Sequence, residues 1–245
     1  MIAAITAGGR VSDELATAIG TEVKALAPIG AGRLVDAAID AAWGSGVRRV
    51  VVIGGDAVRA HCGARVDDVL PESANGRENI AAAMATGRGE ALLLFASDMP
   101  FVHADMVRAF LDGANGADVA LPLADGAAYE RTYPGAPNHV TRIGRERVAN
   151  GSVVYFAPGV APRALAAAQA LFDARKSLTR MATVLGIPLL LRFAVGRLRI
   201  DHVESRAKTL LGVRARAVRN ASPGLCFDID TAEDYRYAIA FDARS

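Results

Sequence analysis

Cysteine is almost absent from this sequence. Cys62 and Cys226 are the only two in 245 residues, far apart and in no metal-type spacing. That excludes a disulfide scaffold or zinc ribbon and fits a reduced, cytoplasmic protein. His61, His103, His139 and His202 show no ligand spacing either, so no zinc centre is read. The net charge is only +2 and no Lys/Arg run stands out, which argues against a nucleic-acid surface. No stretch of about 18 apolar residues suggests a membrane span. The opening MIAAITAGGR has no basic segment and too short an apolar one for a signal peptide. Ser97 has no nucleophile-elbow context, which excludes a serine hydrolase of that type. There is no internal repeat, low-complexity tail or Ser/Gly linker, so residues 1–245 read as a single domain with an elaborated C-terminal half.

What is abundant is apolar surface, at 52% of residues, with few aromatics and much Ala and Gly. This suits helices packed closely on a sheet. Ile2–Thr6 reads as a first strand ending at Gly8-Gly9, followed by a long irregular stretch to about Gly32. Residues 33–43 have helical apolar spacing and are closed by Gly44 and Gly46. Strands follow at 48–53 and, short, at 65–70; then come the helix of RENIAAAMA, the strand ALLLFA, the helix of HADMVRAFLDGA and the strand ADVALPL. Such β-α-β-α alternation predicts a mixed, mainly parallel central sheet in a three-layer α/β/α fold. A loop with three prolines is expected over 122–138. Beyond it, the pattern predicts a strand within 151–158, an Ala-rich helix to about Phe172, helical pieces near 177–185 and 201–212, and a late strand in RARAVRN.

In open parallel sheets ligands bind beyond the carboxyl ends of strands. Gly8 and Gly9 fall there. Without Cβ atoms their amides can turn toward an anion, although a plain tight turn has the same composition. No third glycine and no immediate helix follow, which excludes the dinucleotide fingerprint, and Lys24 comes too late for a Walker loop. Asp98 also falls at a strand mouth, before Pro100, where a turn-forming aspartate is the plainer reading. In FDIDTAEDY, Asp228 and Asp230 alternate and so share a side of an extended backbone. Thr231 and Asp234 have capping-box spacing, which leaves Asp228 unexplained. The carboxylate pair at 228 and 230, matched with Asp98, could hold a hard divalent ion such as Mg²⁺, with either Asp228 or Asp230 as the second ligand. Lys24 is a candidate phosphate clamp, and Arg142, Arg175 and Lys176 are further basic candidates, although read singly a solvated surface residue is the plainer reading of each.

Taken in order, Ala7-Gly8-Gly9, Lys24, PIGAGRLVDAAI, Asp98-Met99-Pro100, GSVVYF and DIDTAEDY resemble the nucleotidyltransferases of the glycosyltransferase-A-like fold, most closely the MobA-like group around molybdenum-cofactor guanylyltransferase. The resemblance spans nearly the whole chain. Two segments depart from it. RVSDELATAIGTEV is longer than the family's S-x-R-M-G loop, with Arg10 as the candidate replacement arginine. NGRENIAAAM is looser than the usual Gly-rich counterpart and is similar to the G-x-x-R segment of methylerythritol cytidylyltransferases. The resemblance implies Mg²⁺-dependent transfer of an NMP from an NTP to a small phosphorylated acceptor. In it Asp98 and Asp228 would hold the metal, Ala7, Gly8, Gly9, Arg10 and Lys24 would bind the nucleotide, and Asn79 would contact the base. Lys24 and Asp98 would be the catalytic pair. A sugar-nucleotide-dependent glycosyltransferase and a non-catalytic nucleotide binder of the same fold are the alternatives.

Overall fold

A computed structural model of the chain describes residues 1–137, 139–166 and 186–243. In chain order, β1 (Ile2–Thr6) leads to α1 (Asp13–Ile19), the short hairpin β2 (Pro28–Ile29) and β3 (Gly32–Arg33), and α2 (Leu34–Gly44). Then come β4 (Arg49–Ile53), α3 (Asp56–Cys62), β5 (Asp68–Leu70), α4 (Gly76–Ala85), β6 (Leu92–Ala96), α5 (Ala104–Gly113), β7 (Val119–Asp125) and α6 (Gly126–Thr132). The rest is β8 (Val140–Ile143), β9 (Glu146–Asn150), β10 (Val153–Phe156), α7 (Ile187–Ala194), α8 (Ile200–Leu211), β11 (Ala215–Arg219) and α9 (Ala232–Asp242).

Nine of these strands form one sheet, in the order β5-β4-β1-β6-β10-β7-β9-β8, with β11 added along β7. β5, β4, β1 and β6 are mutually parallel, and β11 is parallel to β7. β10 runs antiparallel between β6 and β7, and β9 antiparallel to β7. The expected mixed, mainly parallel sheet is present. Side chains alternate across it: Ala3, Ile5, Leu93 and Phe95 enter a large core with α2 and α5, while Ile2, Ala4 and Leu92 enter a smaller one on the α4 side. Both faces are apolar because helices cover both, as parallel sheets require.

Four segments differ from the sequence reading. The stretch expected to be irregular to Gly32 contains α1, which buries only Leu15 and Ile19, packs on α9 and ends at Gly20 with φ 71°. Seven residues with two apolar positions are too few for a period to stand out. The loop expected over 122–138 instead continues β7 to Asp125 and then forms α6, capped by the Asp125 carboxylate accepting from the Ala128 amide at 2.9 Å. Pro122 is tolerated inside β7 because the partner strand is broken opposite it: Ala120 pairs with Tyr155 of β10 and Leu123 with Asn150 of β9. α3 and the β8–β9 hairpin are further elements with no prior signal. The helix expected to Phe172 is present over 161–166; its remainder and the piece near 177–185 lie outside the described residues.

The break between β9 and β10 places Gly151 against Pro122. A Cβ there would overlap the proline ring and approach the Leu225 carbonyl at 2.8 Å, while the Gly151 amide donates to Pro122 O at 2.9 Å. Gly151→Ala is expected to lower unfolding free energy by about 1–3 kcal/mol, the usual range for overpacking. Urea denaturation of the two proteins measures this; an unchanged midpoint would refute it.

Candidate active site

β1 and β6 end in register, Thr6 opposite Ala96, so Gly8-Gly9 and Ser97-Asp98 leave the sheet along one edge. β10 runs the other way and therefore begins at that edge, where the Ala96 amide donates to Ser152 O at 3.0 Å. The C-terminal segment is laced to the same place. The Ser152 amide donates to Leu225 O at 3.0 Å, and the Ile229 amide to Asp98 O at 3.1 Å. Phe227 and Ile229 are fully buried, so Asp228 and Asp230 face the opposite way, toward the cleft, as the alternation predicts.

Four expected residues meet there. Lys24 Nζ lies 2.5 Å from Asp98 Oδ2 and 3.0 Å from Asp230 Oδ1. Asp98 Oδ1 is buried and has no hydrogen-bond partner among the described residues. Burial raises the Asp98 carboxyl above its usual range, against the pull of Lys24, and the charges of Asp228 and Asp230 add to the rise. Burial alone would lower the Lys24 ammonium, but Asp98 and Asp230 outweigh it and leave it above its ordinary value. The two shifts belong to one contact: burial prevails at Asp98, whereas at Lys24 the two carboxylates together prevail over burial.

Asp228 is held by residues that sequence reasoning missed. Its Oδ2 accepts from Ser152 Oγ at 2.8 Å, and its Oδ1 lies 3.3 Å from His139 Nδ1. His139 Nε2 lies 2.9 Å from Asp234 Oδ1. Burial opposes ionisation of Asp228, but the hydrogen bonds from His139 and Ser152 leave its pKa below the ordinary value. His139, hydrogen-bonded to Asp228 and Asp234, is raised to about 9. Four carboxyl groups, Asp98, Asp228, Asp230 and Asp234, thus share two basic side chains, Lys24 and His139.

Gly8 and Gly9 form the other wall. Gly9 has φ 106°, open to glycine at no steric penalty. Its amide donates to Glu72 Oε2 at 2.7 Å, and a Cβ on Gly8 would collide with the same carboxylate. Glu72 was not anticipated, although it follows β5 directly and strand carboxyl ends are where such a residue can be sought. Ala7 is buried and donates to Ile53 O at 2.8 Å. Asn79 is buried with its amide spent on the preceding loop: Oδ1 accepts from the Ser73 amide at 2.7 Å and Nδ2 donates to Ser73 O at 3.1 Å. Arg10 is exposed and pairs with Glu22 at 3.6 Å. Arg142 donates to Gly144 O in the β8–β9 turn, and Arg175 and Lys176 lie outside the described residues.

The model of the MobA-like NTP transferase domain matches residues 3–185. The chain belongs to this family. This nucleotidyltransferase is 27% identical to a hypothetical transferase from Thermus thermophilus, with TM-score 0.82 over 95% of this chain and 98% of that one. It also shares its fold with a nucleotidyl transferase from Methanothermobacter (17% identity, TM-score 0.58, 99% and 97% covered). A third likeness is to the 2-C-methyl-D-erythritol 4-phosphate cytidylyltransferase of Thermus thermophilus (16%, 0.55, 98% of each chain). No curated protein matches the chain. Gly8, Lys24 and Asp98 of this MobA-like transferase fall inside the matched stretch, and Asp228 beyond it. Among the described residues no helix is long and apolar enough to cross a membrane.

The His139 shift has a measurable consequence. The folded protein holds a proton that the unfolded chain, with an ordinary histidine near 6.5, releases first. Its stabilisation is therefore complete below about pH 6.5 and lost as pH rises through about 9. Melting temperatures of the parent and His139→Gln, measured from about pH 6 to 10, should differ most at the acid end and converge above about pH 9. A pH-independent difference would refute the raised pKa.

Proposed function

We propose that this nucleotidyltransferase moves an NMP from an NTP to a small phosphorylated acceptor in the cytoplasm, releasing pyrophosphate, with Mg²⁺ as cofactor. The observation that carries the reading is the buried Asp98 Oδ1, without a partner among the described residues, in a cleft where four carboxyl groups share two basic side chains. Asp98 and Asp228 offer the oxygen donors a hard divalent ion takes. Among the described residues no group of three or more His, Cys, Asp or Glu side chains is arranged to hold a metal unaided. That fits Mg²⁺, which commonly takes one or two carboxylates and leaves its other positions to phosphate and water. When bound, the ion supplies neutralisation of phosphate charge, without which an NTP would be repelled by this cleft.

The chain's own residues supply the rest by positioning and charge. Lys24 trades its contact with Asp230 for a phosphate oxygen. The Gly8 and Gly9 amides line the nucleotide side beside Ala7 and Arg10, and Glu72 must yield the Gly9 amide before a phosphate oxygen can take it. Asn79 is the contact to the base and has to release Ser73 to make it. An acceptor phosphate oxygen forms the new bond to the α-phosphorus while the bond from that phosphorus to the bridging oxygen breaks, and pyrophosphate departs with the electron pair. No covalent enzyme intermediate is needed.

A thermal-shift panel of NTPs with and without Mg²⁺ tests binding. The accepted nucleotide should stabilise the protein only with the metal, by about 2.7 kcal/mol at 100 times its Kd. Pyrophosphate release then identifies transfer; hydrolysis of a sugar nucleotide in its place would support a glycosyltransferase, and binding without turnover a non-catalytic protein. Asp98→Asn should fold normally and lower pyrophosphate release by about 10²–10³-fold, the usual effect of losing one positioned electrostatic group. Near-parental turnover in that variant would remove Asp98 from the mechanism.

A further inference from the structure

Asp228 has both of its carboxylate oxygens held by side chains, His139 and Ser152, and the chain of contacts behind His139 is continuous. At its start is the N-terminus of α9. Asp234 Oδ2 accepts from the amides of Thr231 and Asp230 at 2.7 and 3.1 Å and from Thr231 Oγ1 at 2.8 Å. This is the carboxylate half of a capping box. A cap needs one oxygen. The other, Oδ1, is directed at His139 Nε2. Asp234 is nearly fully buried, so it cannot swing away without leaving amides of the helix end unsatisfied.

His139 reaches this point from the segment before β8. Its ring is confined by Phe227, with centroids 5.2 Å apart, and by Tyr129 at 6.0 Å. A histidine buried for packing alone is satisfied by any acceptor, commonly a backbone carbonyl. Here both ring nitrogens face carboxylates, one fixed to a helix end and the other open to the cleft. Ser152 Oγ holds the second oxygen of Asp228, so the carboxylate plane is defined from both sides. Each oxygen keeps a further lone pair.

We propose that His139 is the positioning residue of Asp228, and that Asp234 orients His139 for that task while capping α9. The inference rests on Asp228 as a ligand of the divalent ion in the function proposed above. It gives His139 no contact with nucleotide or acceptor. It also explains why the D-I-D-T-x-E-D segment ends in an aspartate: the last carboxylate serves the helix with one oxygen and the cleft with the other.

Mn²⁺ is the probe, titrated into the full chain alone and with an equimolar mixture of the four NTPs, with free Mn²⁺ followed by electron paramagnetic resonance. Asp228→Asn tests the underlying reading: if it binds Mn²⁺ like the parent, or if the parent binds none, Asp228 is not a ligand and the proposal falls with that role. If Asp228→Asn loses binding, His139→Ala should weaken Mn²⁺ affinity by about 10–100-fold, the usual effect of losing an outer partner of a ligand. Asp234→Asn should act in the same direction. Its amide oxygen can still cap Thr231, so it keeps the test decisive if His139→Ala does not fold. The double variant should be no weaker than His139→Ala, because both act through one chain of contacts. For whichever NTP the parent uses, the His139 variant should change kcat and the metal requirement more than the KM for the nucleotide. Parental Mn²⁺ affinity in a folded His139→Ala or Asp234→Asn, beside a defective Asp228→Asn, would overturn the proposal and leave the metal reading standing.

Discussion

Like charges gathered at one point must be held there against their own repulsion, and the architecture of this protein answers to that constraint. Asp98, Asp228 and Asp230 arrive from two separate parts of the chain at a single strand edge. Lys24 lies between Asp98 and Asp230. On the far side His139 separates Asp228 from Asp234. Isolated buried carboxylates would take up protons instead of remaining charged. The interleaved cations offset that tendency at Asp228 and Asp234, whose pKa values lie below the ordinary value, whereas at Asp98 burial prevails over the pull of Lys24.

Rigidity for this arrangement comes from apolar packing directly beneath it. Phe101, Tyr133 and Phe227 pack with ring centroids 5.0 to 5.2 Å from one another, and Phe227 touches the His139 ring from below. The chain has few aromatic residues and concentrates many of them here. Such clusters bury large areas and prefer definite geometries, so the segment carrying Asp228 is anchored on both sides by the buried Phe227 and Ile229. The backbone bond from Ile229 to Asp98 then transfers that anchoring to the other carboxylate.

The Gly8-Gly9 wall is built on a different logic. Its open amide is occupied by Glu72, a side chain from beyond β5. A carboxylate against the Gly9 amide satisfies a donor that glycine leaves exposed. In the function proposed above, a phosphate oxygen on this side would exchange with Glu72 as the acceptor of the Gly9 amide, whereas on the Asp98 side the buried Oδ1 has no partner to displace among the described residues.

Much of this was legible in the order of residues. Alternation of apolar runs and helical spacing determined the parallel sheet, because both patterns follow from local geometry and burial. Strand-end position singled out Gly8, Gly9 and Asp98, and strict alternation in FDIDT placed Asp228 and Asp230 on one side. Thr231 and Asp234 declared the start of α9 by spacing alone. Only the tertiary structure decided the partners. His139 lies in a segment with no motif, Ser152 in a strand turn, and Glu72 in a loop, and each reaches the site through contacts dozens of residues apart in sequence. Asn79 and Arg10 look available in one dimension but are engaged by Ser73 and Glu22 in three. α1, α6 and the β8–β9 hairpin form because packing on α9 and along β7 stabilises segments too short or too polar to show a period. Sequence determines which groups lie at strand ends; the closure of distant segments on those ends determines which of them are free to act.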